Sequence, residues 1–169
     1  RYYESNEYVS HSDTSGGLLN IIYQAVRKIM LNRKVRFIKV VSGVKKGTLL
    51  DIGCGTGHFA NAMRKAGWNV TGIEVNVKAR EYAISKFGLD VIDEKNISSL
   101  SSGSFDVITL WHVLEHFHDP YGYFSEIRRL LKPDGLCVVA LPNSSSCDAC
   151  HYREHWAAYD VPRHLWHFS

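Results

Sequence analysis

The chain of 169 residues is short of the features that mark secreted, membrane-spanning or fibrous proteins. No apolar run reaches the roughly 18 residues that a membrane-crossing helix needs. The amino end also lacks the basic, apolar and small-residue order of a signal peptide, so the compartment to expect is the cytoplasm. Cysteine is scarce: Cys54, Cys137, Cys147 and Cys150 form no dense framework and read as free thiols. Only four prolines occur, and the 13 glycines fall at turn-like spacing rather than in low-complexity runs. No internal repeat is visible, and a net charge of +3 is too small to argue for a nucleic-acid partner. One absence is local. Between Asp13 and Asp51 there is no acid, whereas Arg27, Lys28, Arg33, Lys34, Arg36, Lys39, Lys45 and Lys46 all fall there. Such a segment is either a solvated helix face or a surface for an anionic substrate or membrane.

What is present fits one globular domain with a sizeable core: 45% of residues are hydrophobic and 12% aromatic. The chain begins at Arg1 without a methionine and stops at "LWHFS" without a helix-ending or strand-ending signal, and so reads as an excised piece of a longer protein. Residues 1–46 are expected to be helical. Thr14 or Ser15 can cap a helix with apolar steps at Leu18, Ile22, Val26 and Ile29, followed by a second series at Leu31, Val35, Ile38 and Val41. Residues 47–143 then alternate short β-branched runs, "TLLDIG", "NVTGIE", "LDVI", "FDVITL" and "LCVVALP", with helical stretches ending at Gly67 and Gly88. A third helix follows Asp119-Pro120 and should stop at the turn "KPDG". This pattern predicts an α/β fold, a doubly wound, Rossmann-like, mostly parallel sheet with its ligand at the carboxyl ends of the strands. Residues 144–169 form a tail on the substrate side.

The stretch "LLDIGCGTGHFA" sets an acid, Asp51, at the tip of the first strand and Gly53, Gly55 and Gly57 in the turn into a helix. Missing side chains let a ligand approach the backbone, where free amides should point outward at a helix start. A dinucleotide fingerprint would need glycine where His58 stands, and Asp51 would repel a pyrophosphate yet attract the ammonium group of an amino-acid ligand. Glu74, ending the second strand, can accept both ribose hydroxyls, and Asp93, past the third, can accept from an adenine amino group. Adenosine joined to an amino acid describes S-adenosylmethionine.

With these residues in view, the sequence resembles the class I S-adenosylmethionine-dependent methyltransferases, in particular the small-molecule branch that includes ubiquinone-biosynthesis enzymes. "LLDIGCGTG", "GIE", "SFDVITLWHVLEH" and "RLLKPDGLCVVALPN" are similar to four of the family's motifs, in order, from about Thr48 to Asn143. The resemblance implies that Gly53, Cys54, Gly55 and Gly57 line the methionyl part, that Glu74 holds the ribose, that Asp93 or Asn96 reaches the adenine, and that the Trp111 backbone lines the cofactor. It implies methyl transfer to an oxygen, nitrogen or carbon of a small-molecule acceptor. A non-catalytic cofactor-binding module and a nicotinamide oxidoreductase are the other readings. The family finishes with a sixth and seventh strand. Without sequence for them, the edge of strand five should stand uncovered, open to the tail or to a second copy in a homodimer.

Two motifs invite sharper readings. His112-x-x-Glu115-His116 has the spacing of a zinc peptidase motif, but that site needs one continuous helix, and here a strand runs straight into His112. Some ubiquinone-type methyltransferases bind a divalent ion in this turn. The plainer reading, and the one adopted, has no metal: Glu115 caps the turn or faces solvent while His112 and His116 face the substrate. "CDACH", Cys147 to His151, matches a haem-attachment motif and, with His155, half a zinc site, yet no second cysteine pair follows and the thiols read as incidental. In the tail, His151, His155, His164 and His167 are interleaved with Trp156 and Trp166. These rings either pack a lid or build a substrate pocket with His164 as general base. Tyr8 and His11 are weaker candidates for closing over the cofactor.

Overall fold

The computed structural model describes residues 18–169. Tyr8, His11 and the proposed caps Thr14 and Ser15 lie outside the described residues. The chain forms α1 (Leu18–Ser42), β1 (Thr48–Ile52), α2 (His58–Lys65), β2 (Asn69–Ile73), α3 (Val77–Phe87), β3 (Asp90–Ile92), β4 (Phe105–Trp111), α4 (Pro120–Leu130), β5 (Leu131–Ala140) and α5 (Cys147–Tyr152). Short 3₁₀ segments occupy Glu94–Ser99, Leu114–His116, Arg153–His155 and Ala157–Tyr159. The two apolar series expected at the amino end are one continuous helix, because no Gly or Pro interrupts it between them.

Helix ends follow local chemistry. The Asn76 side chain accepts the Ala79 amide to start α3, and Gly88, at φ 62°, closes it. Asp119 accepts the Gly122 amide, and Pro120 fixes the first turn of α4.

All strand pairs are parallel, in the order β3-β2-β1-β4-β5. The chain reverses direction across the sheet between β1 and β4, which opens a crevice at the carboxyl ends of those strands. Alternation splits the core into two layers. Leu49 and Val107 face Ile38 of α1, Phe59 and Met63 of α2 and Ala83 of α3, whereas Leu50, Ile52, Ile108 and Leu110 face Ile127 and Leu130 of α4. Asp51 and Thr109 pair in register on the first face, so an acid enters a buried layer by position alone.

β5 departs from expectation. "KPDG" does not end an element before the strand; Phe105 pairs with Leu131 and Val107 with Leu136, so Lys132 to Gly135 bulge out of a continuous strand. Beyond β5, among the described residues, the only bridge is Asn143 to Phe168, where the tail returns and the Ser144 amide donates to the Phe168 carbonyl at 2.7 Å.

Candidate active site

A cleft of about 770 Å³ opens at the carboxyl end of the sheet, and its wall includes Gly53, Glu74, Asn76, Ile97, His112 and Tyr123. Its floor is the tip of β2. The Glu74 carboxylate is 6% exposed and accepts the Gly55 amide at 2.7 Å through one oxygen and the Asn76 amide at 2.8 Å through the other. Arg80 donates to the Glu74 carbonyl and pairs with Asp93 at 3.1 Å, bracing the same turn.

The glycine turn is built differently from the outward-facing cradle expected of it. The Gly53 and Cys54 amides donate to the Ile73 carbonyl, the Gly55 amide to Glu74, and the Gly57 amide to the Cys54 carbonyl. These donors are spent inside the protein and offer nothing to a phosphate, which counts against a pyrophosphate ligand. Of the three glycines only Gly53 lines the cleft. Gly57 is a packing glycine: at φ 76°, a Cβ there would lie 2.8 Å from that of Ala83. The Cys54 side chain turns into the core against Gly72, and burial pushes its thiol well above its ordinary range. Asp93 does not reach the cleft; it caps the following 3₁₀ turn through the Lys95 amide, and its neighbours Glu94 and Ile97 line the wall instead, as Asn96 does not. The Lys95 amide hydrogen bond, aided by Arg80, holds the Asp93 carboxyl below the usual range.

Asp51 lies behind the glycine turn, 2% exposed, accepting from the Thr109 hydroxyl at 2.7 Å. Burial raises its carboxyl to about 7, against the opposing pull of Thr109 and Lys34 and with a further push from Glu74. Lys34, from α1, stands 4.0 Å over the Trp111 ring, and that ring meets Phe59 edge-on.

The opposite wall is the turn after β4. His112 sits at φ 57°, a left-handed conformation that a histidine adopts at a cost, with its side chain 63% exposed toward the cleft. Its Nδ1 is 3.6 Å from a carboxylate oxygen of Glu115. Glu115 corrects the sequence reading. It neither caps the turn nor faces solvent; it is fully buried, and neither carboxylate oxygen has a hydrogen-bond partner. Beside it, the His116 and His164 rings meet at 4.7 Å, and each Nδ1 faces a backbone carbonyl, of Arg163 and Ala158 respectively. Among the described residues, Glu115, His116 and His164 are the one group whose ligand atoms all lie within 4.8 Å of each other. Those are donor types that suit a divalent cation.

The tail is stitched to this turn. The Leu165 amide donates to the Glu115 carbonyl at 2.8 Å and the Trp166 indole to the Phe117 carbonyl at 2.7 Å. Of the tail only Arg163 lines the cleft; His164 lies against His116 and does not line it. Cys147 and Cys150 are exposed, free and outside any such ligand group among the described residues.

A family model described as a methyltransferase domain matches residues 25–169. The chain belongs to this methyltransferase family. A ubiquinone biosynthesis O-methyltransferase of Actinobacillus pleuropneumoniae is 39% identical over 107 residues, covering 56% of this chain and 45% of that enzyme, so the domain spans about half the length of such relatives. A solved S-adenosylmethionine-dependent methyltransferase from Archaeoglobus fulgidus is 26% identical with a TM-score of 0.62, covering 82% of this domain and 61% of that chain. The [4+2]-cyclase SpnF is also similar, at 27% identity and a TM-score of 0.55 over 63% of this domain and 43% of that chain. One methyltransferase-like architecture thus carries more than one named activity.

Proposed function

We propose that this domain binds S-adenosylmethionine in the cleft and transfers its methyl group to a hydroxyl oxygen of a small molecule. The observation that carries the reading is Glu74, a nearly buried carboxylate at the β2 tip whose two oxygens are held by the Gly55 and Asn76 amides. Its remaining lone pairs face the cleft and suit two vicinal ribose hydroxyls, whereas the spent amides of the glycine turn suit no phosphate. Val75, Glu94 and Ile97 would flank the adenine. Gly53, without a side chain, would let the methionyl part lie against the backbone, with the negative potential of Asp51 and Glu74 behind it. Bound there, the cofactor supplies a methyl group activated by its sulfonium.

The chain's own residues align the acceptor and remove its proton. The His112 ring turns Nδ1 toward Glu115, 3.6 Å away, which leaves Nε2 as the atom to take a proton from a hydroxyl in the cleft. An oxygen acceptor also agrees with the O-methyltransferase named among the relatives. Phe117 and Tyr123, with centroids 4.1 Å apart, give the cleft an aromatic wall against which a planar acceptor can lie.

Calorimetric titration of the full-length protein with S-adenosylhomocysteine tests the cofactor, and release of a labelled methyl group to phenolic acceptors tests the transfer. Micromolar binding that weakens in Glu74→Gln supports the assignment; absence of binding overturns it. Binding with no methyl transfer to any acceptor would leave a cofactor-holding module.

A further inference from the structure

Helix α1 is apolar on two faces, and among the described residues only one of them has a partner. Leu31, Val35 and Ile38 pack on the core. Ile22, Val26 and Ile29, and then Phe37 and Val40, step by three or four residues along the other side and are exposed, Val40 by 71% and Ile29 by 54%. Arg33 occupies the remaining step of that row, and Lys28 and Arg36 lie exposed to one side of it. The row covers 19 residues, a length of roughly 27 Å.

We infer that this face of α1 docks on an anionic lipid surface, lying in the plane of the interface. Charge chooses this occupant over a second copy of the chain. No acid occurs between Asp13 and Asp51, so two such helices face to face would set Arg33 and its neighbours against their own kind. A bilayer with anionic headgroups reverses that balance: the apolar side chains enter the acyl boundary while the long basic side chains reach back to the phosphates. Three other cations of the helix are engaged inward: Arg27 on His58, Lys34 on Trp111 and Lys39 on the Ala66 carbonyl. Inward and outward duties are thus divided around the helix. No described helix is long and apolar enough to cross a membrane, which suits docking on its surface. Because Lys34 packs on Trp111 in the cleft wall, the docked element and the site are joined by one contact.

The experiment is co-sedimentation of the full-length protein with vesicles of equal parts phosphatidylglycerol and phosphatidylcholine, and with vesicles of phosphatidylcholine alone. The anionic vesicles should carry the protein down and the neutral ones should not, with binding weakening as salt rises. Ile29→Gln/Val40→Gln and, separately, Arg33→Gln/Arg36→Gln should each lower the partition coefficient on the order of tenfold or more. Both pairs are at exposed positions outside the cleft, so S-adenosylhomocysteine binding and thermal unfolding should stay at the wild-type values. Equal sedimentation with both vesicle types, or variants that sediment like the wild type, would overturn the inference. A concentration-dependent dimer in ultracentrifugation that Ile29→Gln/Val40→Gln abolishes would assign the face to a second copy instead, and would overturn it equally.

Discussion

The tips of β2 and β4 face each other across one cleft and are built on opposite principles. At β2, the carboxylate of Glu74 has each oxygen held by a backbone amide, and the adjoining glycine turn spends its amides within the protein. At β4, Glu115 is fully buried with no hydrogen-bond partner on either oxygen, His112 holds a left-handed backbone, and the Trp111 indole nitrogen is buried without a hydrogen-bond partner. Satisfied groups make a rigid seat, because moving them would break bonds already made. Unsatisfied ones cost stability in the resting protein, about 1–3 kcal/mol each, and persist where a ligand or a reaction step uses them. On the proposed function, one side of the cleft holds the cofactor and the other acts on the acceptor.

The two sides touch at Gly53. A Cβ there would lie 2.4 Å from Cγ2 of Val113, at φ 69°. Gly53→Ala therefore breaks the seam itself, with overpacking and left-handed strain together costing about 3–4 kcal/mol. For a domain of this size that lowers the melting temperature by about 10 °C, and cofactor binding should be lost with it. A variant that melts like the wild type would show that the two tips are not packed together.

The acting side should respond in rate. His112→Ala and Glu115→Gln are each expected to lower kcat about 100-fold or more with little change in KM, and the double variant to fall no further than the worse single one. Glu115→Gln should also melt no lower than the wild type, because the buried oxygens it replaces accept no hydrogen bond that could be lost. Chelator sharpens the division of labour. A rate indifferent to it leaves Glu115 to His112, whereas loss restored by added divalent metal moves Glu115 to the cation group with His116 and His164. The holding side should respond in affinity: Glu74→Gln weakens S-adenosylhomocysteine about 10- to 100-fold, from the loss of charge-assisted hydrogen bonds.

The holding side was also the more legible. Leu49, Leu50, Ile52, Val107, Ile108 and Leu110 are buried on both faces of a parallel sheet, and such strands announce themselves as short apolar runs. Glu74 was readable because an acid that ends such a run has few other places to be. The acting side was hidden for two reasons. Glu115 is held by a tail some fifty residues later, whose Leu165 and Trp166 amides donate to its carbonyl, and no local pattern carries that contact. Glu94 and Ile97 replaced Asp93 at the wall because Asp93 is consumed capping the turn that presents them, a signal that Asp followed two residues later by a free amide does offer. "KPDG" has the composition of a turn and forms one, but as a bulge within β5, since pairing with β4 resumes on its far side.

The smallest expected effect lies beneath both tips, at Asp51. Its carboxyl, raised to about 7 chiefly by burial, binds a proton more readily in the folded protein than in the unfolded chain, where carboxyls of this type titrate near 4. The folded state therefore loses stability as pH climbs from about 4 to 7, and above 7 it bears the full cost of a buried negative charge. Asn keeps an acceptor for the Thr109 hydroxyl while removing that charge. Asp51→Asn should accordingly melt a few degrees higher than the wild type at pH 8, on the order of 2 kcal/mol, and the gap should close near pH 4. Cofactor binding should run the other way. A ligand bearing sulfonium and ammonium charges favours the ionised carboxylate, so binding at pH 6 expels a proton, and affinity strengthens up to about pH 7 and then levels. In Asp51→Asn that pH dependence should vanish and affinity should fall, readable by calorimetry in buffers of different ionisation heat. A variant both more stable and equally tight in binding would mean that the charge of Asp51 serves neither tip.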